Sequence, residues 1–232
     1  MPDAFDDPTA ELQIDRLPVA GDLPPWLRGT LLRNGPGALR VGEQRYRHWF
    51  DGLAMLHRFS FADGRVSYGN RFLESRAYSK AQESGKIAYS EFATDPCRSL
   101  FGRVAAVFSP EVTDSAKVNV ARLADRFLAL AETPIQVEFD PETLRSVGVY
   151  TYEPQAFGSI TTVHPQLDRA QALAYNLVTR HNAIAQYRIY EVGASGEPRR
   201  VGAVPVREPA YMHSFGMSRN HFVLADFPLK VN

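Results

Sequence analysis

The sequence predicts a mostly β protein, and three observations predict it. Apolar runs of strand length recur along the 232 residues. Turn-forming residues bound each run, and successive runs lie close enough together to pair as antiparallel hairpins. The pattern therefore favours sheets built from consecutive hairpins, as in a β-propeller or a β-sandwich.

The first hairpin has the clearest turn. Predicted strands at 56–61 and 65–73 flank the pair Asp63-Gly64. Asp-Gly readily adopts the positive φ that a tight turn needs, so these two strands are expected to pair directly. Further upstream, Gly35-Pro36-Gly37 lacks the spacing of a phosphate-binding loop and predicts a turn.

Two further units repeat the same arrangement of apolar runs and turns. Their predicted strands span 127–131, 135–139 and 144–150 in the second unit, and 186–190, 200–204 and 221–227 in the third. The repetition favours one architecture throughout the chain.

Composition excludes several classes of protein. The chain carries 26 Lys plus Arg and 26 Asp plus Glu, so nothing in its charge favours a nucleic-acid partner. The single cysteine, Cys97, excludes an internal disulfide framework and a Cys-rich zinc site. The acidic N-terminus lacks the apolar run of a signal peptide, and no stretch is long enough to span a bilayer, so the expected compartment is the cytoplasm.

Two histidines stand in settings that suit a metal-bound imidazole. His164 ends a β-branched run, TTVH, and Pro165 follows it; His213 lies within YMHSFGM. Their distance along the chain means that only a fold could bring them together. A single histidine in a β context is more often structural, and two imidazoles alone do not make a tight metal site.

These two motifs, with several upstream, resemble the carotenoid cleavage oxygenases, a family that also includes stilbene-cleaving dioxygenases and the retinoid isomerase of the eye. The upstream motifs are LPPWLRGTLLRNGPG at 23–37, HWFDGLAMLH at 48–57, EFAT at 91–94, VTDSAKVNV at 112–120 and AETP at 131–134. The resemblance implies a seven-bladed β-propeller. Family members are roughly twice as long, so residues 1–232 would form a single incomplete propeller domain, the N-terminal half with only the first blades.

The resemblance also implies an iron site. The family holds Fe(II) with four histidines; His164 and His213 match the first and second, and the other two lie further downstream in family members. Glu132 matches a glutamate that accepts the free N–H of a ligating histidine. Phe92 matches an aromatic residue that lines the cleft near the reacting polyene. The remaining histidines match no ligand position: His48, His57, His181 and His221.

One segment departs from the β pattern. Residues 96–108 place apolar side chains near one helical face, with Arg98 and Arg103 available for a polar face. The pattern alone favours a short amphipathic helix packed on the core. The resemblance instead implies a patch that dips into a membrane around the substrate entrance, which would make the protein peripheral to the membrane.

The sequence thus leads to an expected function and an alternative. The expected function is that of a non-haem Fe(II) dioxygenase, which uses dioxygen to cleave a conjugated C=C bond of a carotenoid, apocarotenoid or stilbene-like substrate to two carbonyl products. The 232 residues alone are expected to be inactive, because two ligands cannot fix a reactive iron geometry. Isomerisation would use the same residues. The alternative is a non-catalytic propeller fragment that binds a lipophilic ligand or a protein partner.

An incomplete ring of blades would expose sheet faces that a closed ring covers. We therefore expect the 232-residue chain, expressed by itself, to be poorly soluble or to self-associate. Analytical ultracentrifugation and a thermal melt measure this directly. A monomeric sedimentation profile with a cooperative melt would contradict the expectation.

Overall fold

The computed structural model describes residues 10–96, 112–153, 159–181 and 184–230. Within these ranges the chain is built mainly of β-strands, which confirms the predicted all-β class. The strands, in chain order, are β1 (Gln13–Ile14), β2 (Gly29–Ala38), β3 (Arg40–Val41), β4 (Gln44–Arg45), β5 (Leu53–Ala62), β6 (Arg65–Phe72), β7 (Asn119–Leu123), β8 (Arg126–Leu130), β9 (Ile135–Phe139), β10 (Ser146–Thr151), β11 (Ser159–Thr161), β12 (Gln166–Asp168), β13 (Leu173–Arg180), β14 (Gln186–Val192), β15 (Pro198–Pro205), β16 (Gly216–Met217) and β17 (Phe222–Val223).

Three antiparallel sheets follow one another along the chain. The first has the order β1-β6-β5-β2 and the second the order β10-β9-β8-β7. The third has the order β11-β13-β14-β15, with β12 also paired to β13. Two short hairpins, β3-β4 and β16-β17, accompany them. Each large sheet joins strands that are close in sequence, as the hairpin pattern predicted.

The apolar core lies between neighbouring sheets. One cluster joins the first sheet to the second through buried residues such as Leu56, Ala129 and Val137. Another joins the second sheet to the third through residues such as Leu128 and Val178. Each sheet therefore buries side chains against the next, as the blades of a propeller do.

The turn between β5 and β6 has the predicted geometry. Asp63 has φ of 51° and Gly64 has φ of 69°, and Ala62 pairs with Arg65 directly across the turn. Both values lie in the left-handed region that Asp-Gly tolerates.

The predicted turn at Gly35-Pro36-Gly37 is wrong, because these residues belong to the edge strand β2. The register shifts between Pro36 and Ala38, so the proline lies at an irregularity of an edge strand, where its missing N–H is tolerated. A Cβ on Gly37 would lie 2.4 Å from the Cβ of Met55. Close backbone packing explains this glycine.

The strand expected at 221–227 is also much shorter than predicted. It is represented by β17 (Phe222–Val223), paired only with β16. Beyond it, Asp226 accepts hydrogen bonds from the hydroxyl of Tyr187 at 2.9 Å and from the ammonium of Lys230 at 3.1 Å. These side-chain contacts hold the segment outside a regular ladder.

A helix that the sequence pattern did not predict, α1 (Arg76–Ser84), follows the first sheet. Ser75 caps its start by accepting a hydrogen bond from the backbone N–H of Tyr78 at 3.1 Å. Gly85, with φ of 64°, ends it in the left-handed conformation. The carboxylate of Asp114 accepts from the first backbone N–H groups, those of Arg76 at 2.8 Å and Ala77 at 3.0 Å. This contact joins the helix to the chain that leads into the second sheet.

The segment predicted as a membrane patch lies, except for Pro96, outside the described residues. Among the helices that the structure does describe, none is long and apolar enough to cross a membrane.

Asp114 is 1% exposed, so replacing it leaves buried N–H groups without an acceptor. We expect Asp114→Ala to lower the free energy of unfolding by about 2 kcal/mol. Urea denaturation of the full-length protein measures this. The matched control is Asp125→Ala, since the Asp125 side chain is 95% exposed and pairs only with nearby Arg122; its effect should stay within about 0.5 kcal/mol. Equal losses for the two variants would contradict the role of Asp114.

Candidate functional site

The fold brings His164 and His213 together. Their Nε2 atoms lie 2.9 Å apart, although 49 residues separate them in sequence. His164 follows β11, and His213 lies in the loop that precedes β16. The side-chain amide of Gln166 donates to the carbonyl of Phe215 at 2.9 Å, which ties the two segments to each other. The pairing expected of these two histidines is therefore present.

Packing on both sides of His213 determines where its ring points. Met212 and Phe215 are buried against Leu177 and Ile189 of the third sheet. The His213 side chain itself is 47% exposed. Because its neighbours fill the core, the imidazole faces the opening between the sheets.

Glu132 orients the ring of His213. Its Oε1 atom lies 2.6 Å from Nδ1 of His213. The phenol of Tyr211 donates to the same oxygen at 2.5 Å, and burial together with the nearby carboxylate raises the pKa of Tyr211. A carboxylate bound to Nδ1–H leaves the lone pair on Nε2, the form that binds a metal. The structure thus places Glu132 in direct contact with His213.

His164 is held from the other side. The side-chain amide of Asn119 donates to the carbonyl of Val163 at 2.8 Å and lies 3.5 Å from Nδ1 of His164. Burial, and the electrostatic influence of the neighbouring His213, lower the pKa of His164, although Glu132 acts in the opposite direction. The imidazole is therefore held in its neutral form, which metal binding requires.

The geometry of the pair fits a shared metal ion. Two imidazole nitrogens bound at right angles to one ion, with bonds of about 2.1 Å, lie about 3.0 Å apart. The 2.9 Å separation of the two Nε2 atoms agrees with that arrangement. Within the part of the chain that the structure describes, no group of three or more His, Cys, Asp or Glu side chains could hold a metal. Two imidazole nitrogens at this separation could supply part of a coordination sphere, with further donors required to complete it.

An apolar cavity of about 560 Å³ opens beside the pair. Its walls come from β2 of the first sheet, β11 of the third sheet, the segments that precede the second sheet, the loop between β8 and β9 and the His213 loop, and their surface is mainly apolar. The lining residues are Asn34, Gly35, Pro36, Trp49, Phe50, Ser90, Glu91, Phe92, Val112, Thr113, Ser115, Lys117, Val118, Ala131, Glu132, Thr133, Pro134, Ser159, Ile160, Tyr211 and His213. The size and the apolar lining suit a lipophilic molecule.

Phe92 lies on the wall of this cavity, in the position expected of a cleft residue. Its ring packs 5.6 Å from that of Phe50 and 5.4 Å from that of His48, centroid to centroid. The Phe92 residue is 75% exposed, so its ring is accessible from the cavity.

The other histidines lie away from the pair. His48 begins a 3₁₀ turn, Trp49–Asp51, where its Nδ1 accepts from the N–H of Phe50 at 3.1 Å. His57 lies in β5 with its Nδ1 2.8 Å from the hydroxyl of Tyr68. His181 follows β13, and His221 precedes β17. Of these four, His48 contacts the cavity wall through Phe92, and none forms a hydrogen bond with His164 or His213 among the described residues.

Sequence reasoning assigned no role to several residues that the structure places here. Tyr211 shares the carboxylate of Glu132, and Asn119 lies against His164. Glu91 and Lys117 form an ion pair at the cavity wall, with a nitrogen–oxygen distance of 2.5 Å. Tyr211 carried a positional signal, since it lies two residues before His213. Glu91, Lys117 and Asn119 lie within the motifs at 91–94 and 112–120, but nothing in those motifs indicated that Glu91 pairs with Lys117, 26 positions away.

The model of the RPE65 family, described as retinal pigment epithelial membrane protein, matches residues 5–232. The chain belongs to this family. It is similar to the β,β-carotene 15,15'-dioxygenase of Mus musculus, with 35% identity over 92% of this chain and 42% of that protein. It is also similar to the carotenoid isomerooxygenase of Galleria mellonella, with 36% identity over 92% of this chain and 45% of that protein.

Solved structures of the apocarotenoid oxygenase of Synechocystis have the same fold. One variant superposes with a TM-score of 0.79 at 26% identity, covering 92% of this chain and 46% of that chain. A cobalt-substituted form superposes equally well. The match confirms the predicted β-propeller class for this RPE65 family chain. The chain spans less than half the length of these relatives.

The Glu132 carboxylate is the acceptor that orients His213, so its charge should affect metal binding. We expect Glu132→Gln to weaken binding of a divalent cation by about 10- to 100-fold. Calorimetric titration of the metal-free, full-length protein with Co²⁺ measures the affinity. Glu138→Gln is the matched control, since Glu138 pairs with Arg126 at 3.2 Å, outside the site. Unchanged affinity in Glu132→Gln would contradict this role.

Proposed function

We propose that this chain forms part of a non-haem Fe(II) dioxygenase that cleaves a conjugated C=C bond of a carotenoid, apocarotenoid or stilbene-like substrate. The observation that carries the proposal is the pair of Nε2 atoms 2.9 Å apart at the edge of an apolar cavity. Membership of the RPE65 family supports it, since relatives are carotenoid dioxygenases by name.

In this proposal His164 and His213 supply two of the ligands to the iron. Neutral imidazoles bind Fe(II) without adding negative charge, which distinguishes this donor set from sites with a carboxylate ligand. The bound iron would supply the activation of dioxygen. The remaining ligands come from elsewhere, because the described residues contain no group of three or more His, Cys, Asp or Glu side chains that could hold a metal.

The chain's own residues prepare the site in three ways. Glu132 holds the Nδ1 proton of His213, so the Nε2 lone pair stays directed at the site. Tyr211 donates to the same carboxylate and limits its motion. The aromatic residues Trp49, Phe50 and Phe92 line the cavity beside the histidines and exclude water from the space for a polyene.

A lipophilic substrate also bears on where in the cell the protein works. We propose a cytoplasmic protein in peripheral contact with a membrane through residues 96–108, most of which lie outside the described residues. An apolar cavity serves a substrate dissolved in lipid only if the protein can approach that lipid. Residues 1–232 would act as one incomplete propeller domain within this enzyme.

Cleavage and isomerisation would use this same donor set, and the Galleria mellonella relative is named a carotenoid isomerooxygenase. A second candidate function is a non-catalytic fragment that binds a lipophilic ligand or a protein partner. It is favoured by one observation, that the described residues offer only two adjacent imidazoles.

Removing one imidazole should separate these proposals. We expect His213→Ala in the full-length protein to abolish polyene cleavage, with activity at least 100-fold lower, because the iron loses a ligand. Product aldehydes are quantified by chromatography, and bound iron by elemental analysis. Both should fall together.

The control is His221→Ala, since His221 is exposed and lies outside the site; its activity and iron content should equal those of the wild type. A second experiment assays residues 1–232 alone, which we expect to be inactive. Cleavage by the isolated chain would overturn the requirement for further ligands, and full activity of His213→Ala would overturn the iron site itself.

A further inference from the structure

A buried ion pair lies in the wall of the apolar cavity. The ammonium of Lys117 lies 2.5 Å from Oε2 of Glu91, and the two side chains are only 9% and 4% exposed. Thr113 donates its hydroxyl to the other oxygen, Oε1, at 2.6 Å. Both charged residues line the cavity, together with His213 and Tyr211. A buried pair of opposite charges is thus present in a wall that is otherwise mainly apolar, with Glu132 as the other charged residue of the lining.

Stability alone does not account for the pair. Desolvating two charges offsets most of their attraction, and apolar residues of equal volume often serve as well. Burial raises the pKa of Glu91 in spite of Lys117, which reflects that cost. The neighbouring loop has its own support, because Asp51 accepts from Thr94 Oγ1 at 2.7 Å and from the N–H of Ala93 at 3.1 Å.

The hydrogen bonds leave one donor for a ligand. Both oxygens of Glu91 are occupied, by Thr113 and by Lys117. An ammonium has three N–H groups. Within the described part of the chain, Lys117 directs one to Glu91 and a long one, at 3.4 Å, to the carbonyl of Asp51. The third can donate to an oxygen atom in the cavity.

The charges around the ammonium of Lys117 favour a neutral oxygen atom as its hydrogen-bond acceptor in the cavity. Glu91 and Asp51 lie within interacting distance of each other, and Asp51 is fully buried. Two carboxylates beside one ammonium disfavour a third anion through like-charge repulsion. A carbonyl or hydroxyl oxygen accepts the hydrogen bond without that penalty, whereas a carboxylate does not.

We propose that Lys117, held by Glu91, binds the neutral oxygen atom at one end of an otherwise apolar polyene. The proposal rests on the proposed function and adds a class of substrate, a polyene that ends in an aldehyde, ketone or alcohol. Since His213 and Lys117 line the same cavity, an oxygen held at Lys117 positions the polyene relative to the histidine pair. Lys117 is in this sense a residue that determines specificity.

The test compares three polyenes of equal length: an aldehyde, a carboxylic acid and a hydrocarbon. Binding to the full-length protein under anaerobic conditions is followed by quenching of tryptophan fluorescence, to which Trp49 of the cavity wall contributes. We expect the wild type to bind the aldehyde about tenfold more tightly than either of the others, as for a hydrogen bond to a charged donor.

The variant replaces both charges, Lys117→Met with Glu91→Met, so that neither is left buried and unpaired. We expect it to bind the three polyenes with equal affinity and to retain the wild-type affinity for the hydrocarbon. The matched control is Lys86→Met, at an exposed lysine beyond the end of α1, which should keep the tenfold preference.

Two outcomes would overturn the inference alone. One is a wild type that binds the three polyenes equally, a measurement that does not depend on the folding of any variant. The other is a folded double variant that keeps the preference for the aldehyde. Failure of the wild type to bind any of the three polyenes would instead overturn the proposed function, and this inference with it.

Discussion

The structure around the site depends on Glu132, where one residue joins two sheets. Its backbone carbonyl accepts the N–H of Thr161 at 2.8 Å, which ties the end of the second sheet to the start of the third. Its carboxylate accepts from Tyr211 and His213, which lie beyond the third sheet. The same residue thus sets the spacing of the sheets and the orientation of the imidazole. A shift of either sheet would move the imidazole of His213 relative to Glu132.

The cavity combines an apolar wall with a small number of fixed polar groups. Trp49, Phe50 and Phe92 are all substantially exposed, an arrangement that is costly in water and useful only where an apolar molecule covers them. The charged groups of this wall lie at two places, Glu132 beside the His213 loop and the Glu91–Lys117 pair. Charges in such surroundings interact strongly because little water screens them. A few side chains can therefore orient a ligand that otherwise offers only apolar surface.

Some local features of the fold and of the site could be predicted from particular residues. The β-branched run before His164 indicated a strand terminus, and the structure has β11 ending at Thr161. Asp63-Gly64 indicated a tight hairpin, and both residues have the positive φ that such a turn needs. Local preference decided these features, since each depends on neighbouring residues. By contrast, Gly37 depends on a contact with Met55, a residue of the adjoining strand, and its local pattern pointed to a turn.

Helix α1 likewise combines local features that neighbouring residues specify with a contact that only the tertiary structure supplies. Its N-cap, Ser75, and its final glycine, Gly85, are local signals, but the acceptor for its first N–H groups is Asp114, 38 residues after Arg76. The Glu91–Lys117 pair and the contact between Tyr211 and Glu132 likewise join distant segments. Pattern and propensity describe neighbours along the chain and cannot specify such partners.

The sequence by itself determined the all-β class, the hairpins, the family resemblance and the identity of the two histidines, because periodicity, turn chemistry and motifs are properties of short stretches. Only the tertiary structure decided that the Nε2 atoms of His164 and His213 lie 2.9 Å apart, that Glu132 faces His213 and that an ion pair lies in the cavity wall. Those distances arise from the packing of whole sheets against one another, which no short stretch of residues encodes.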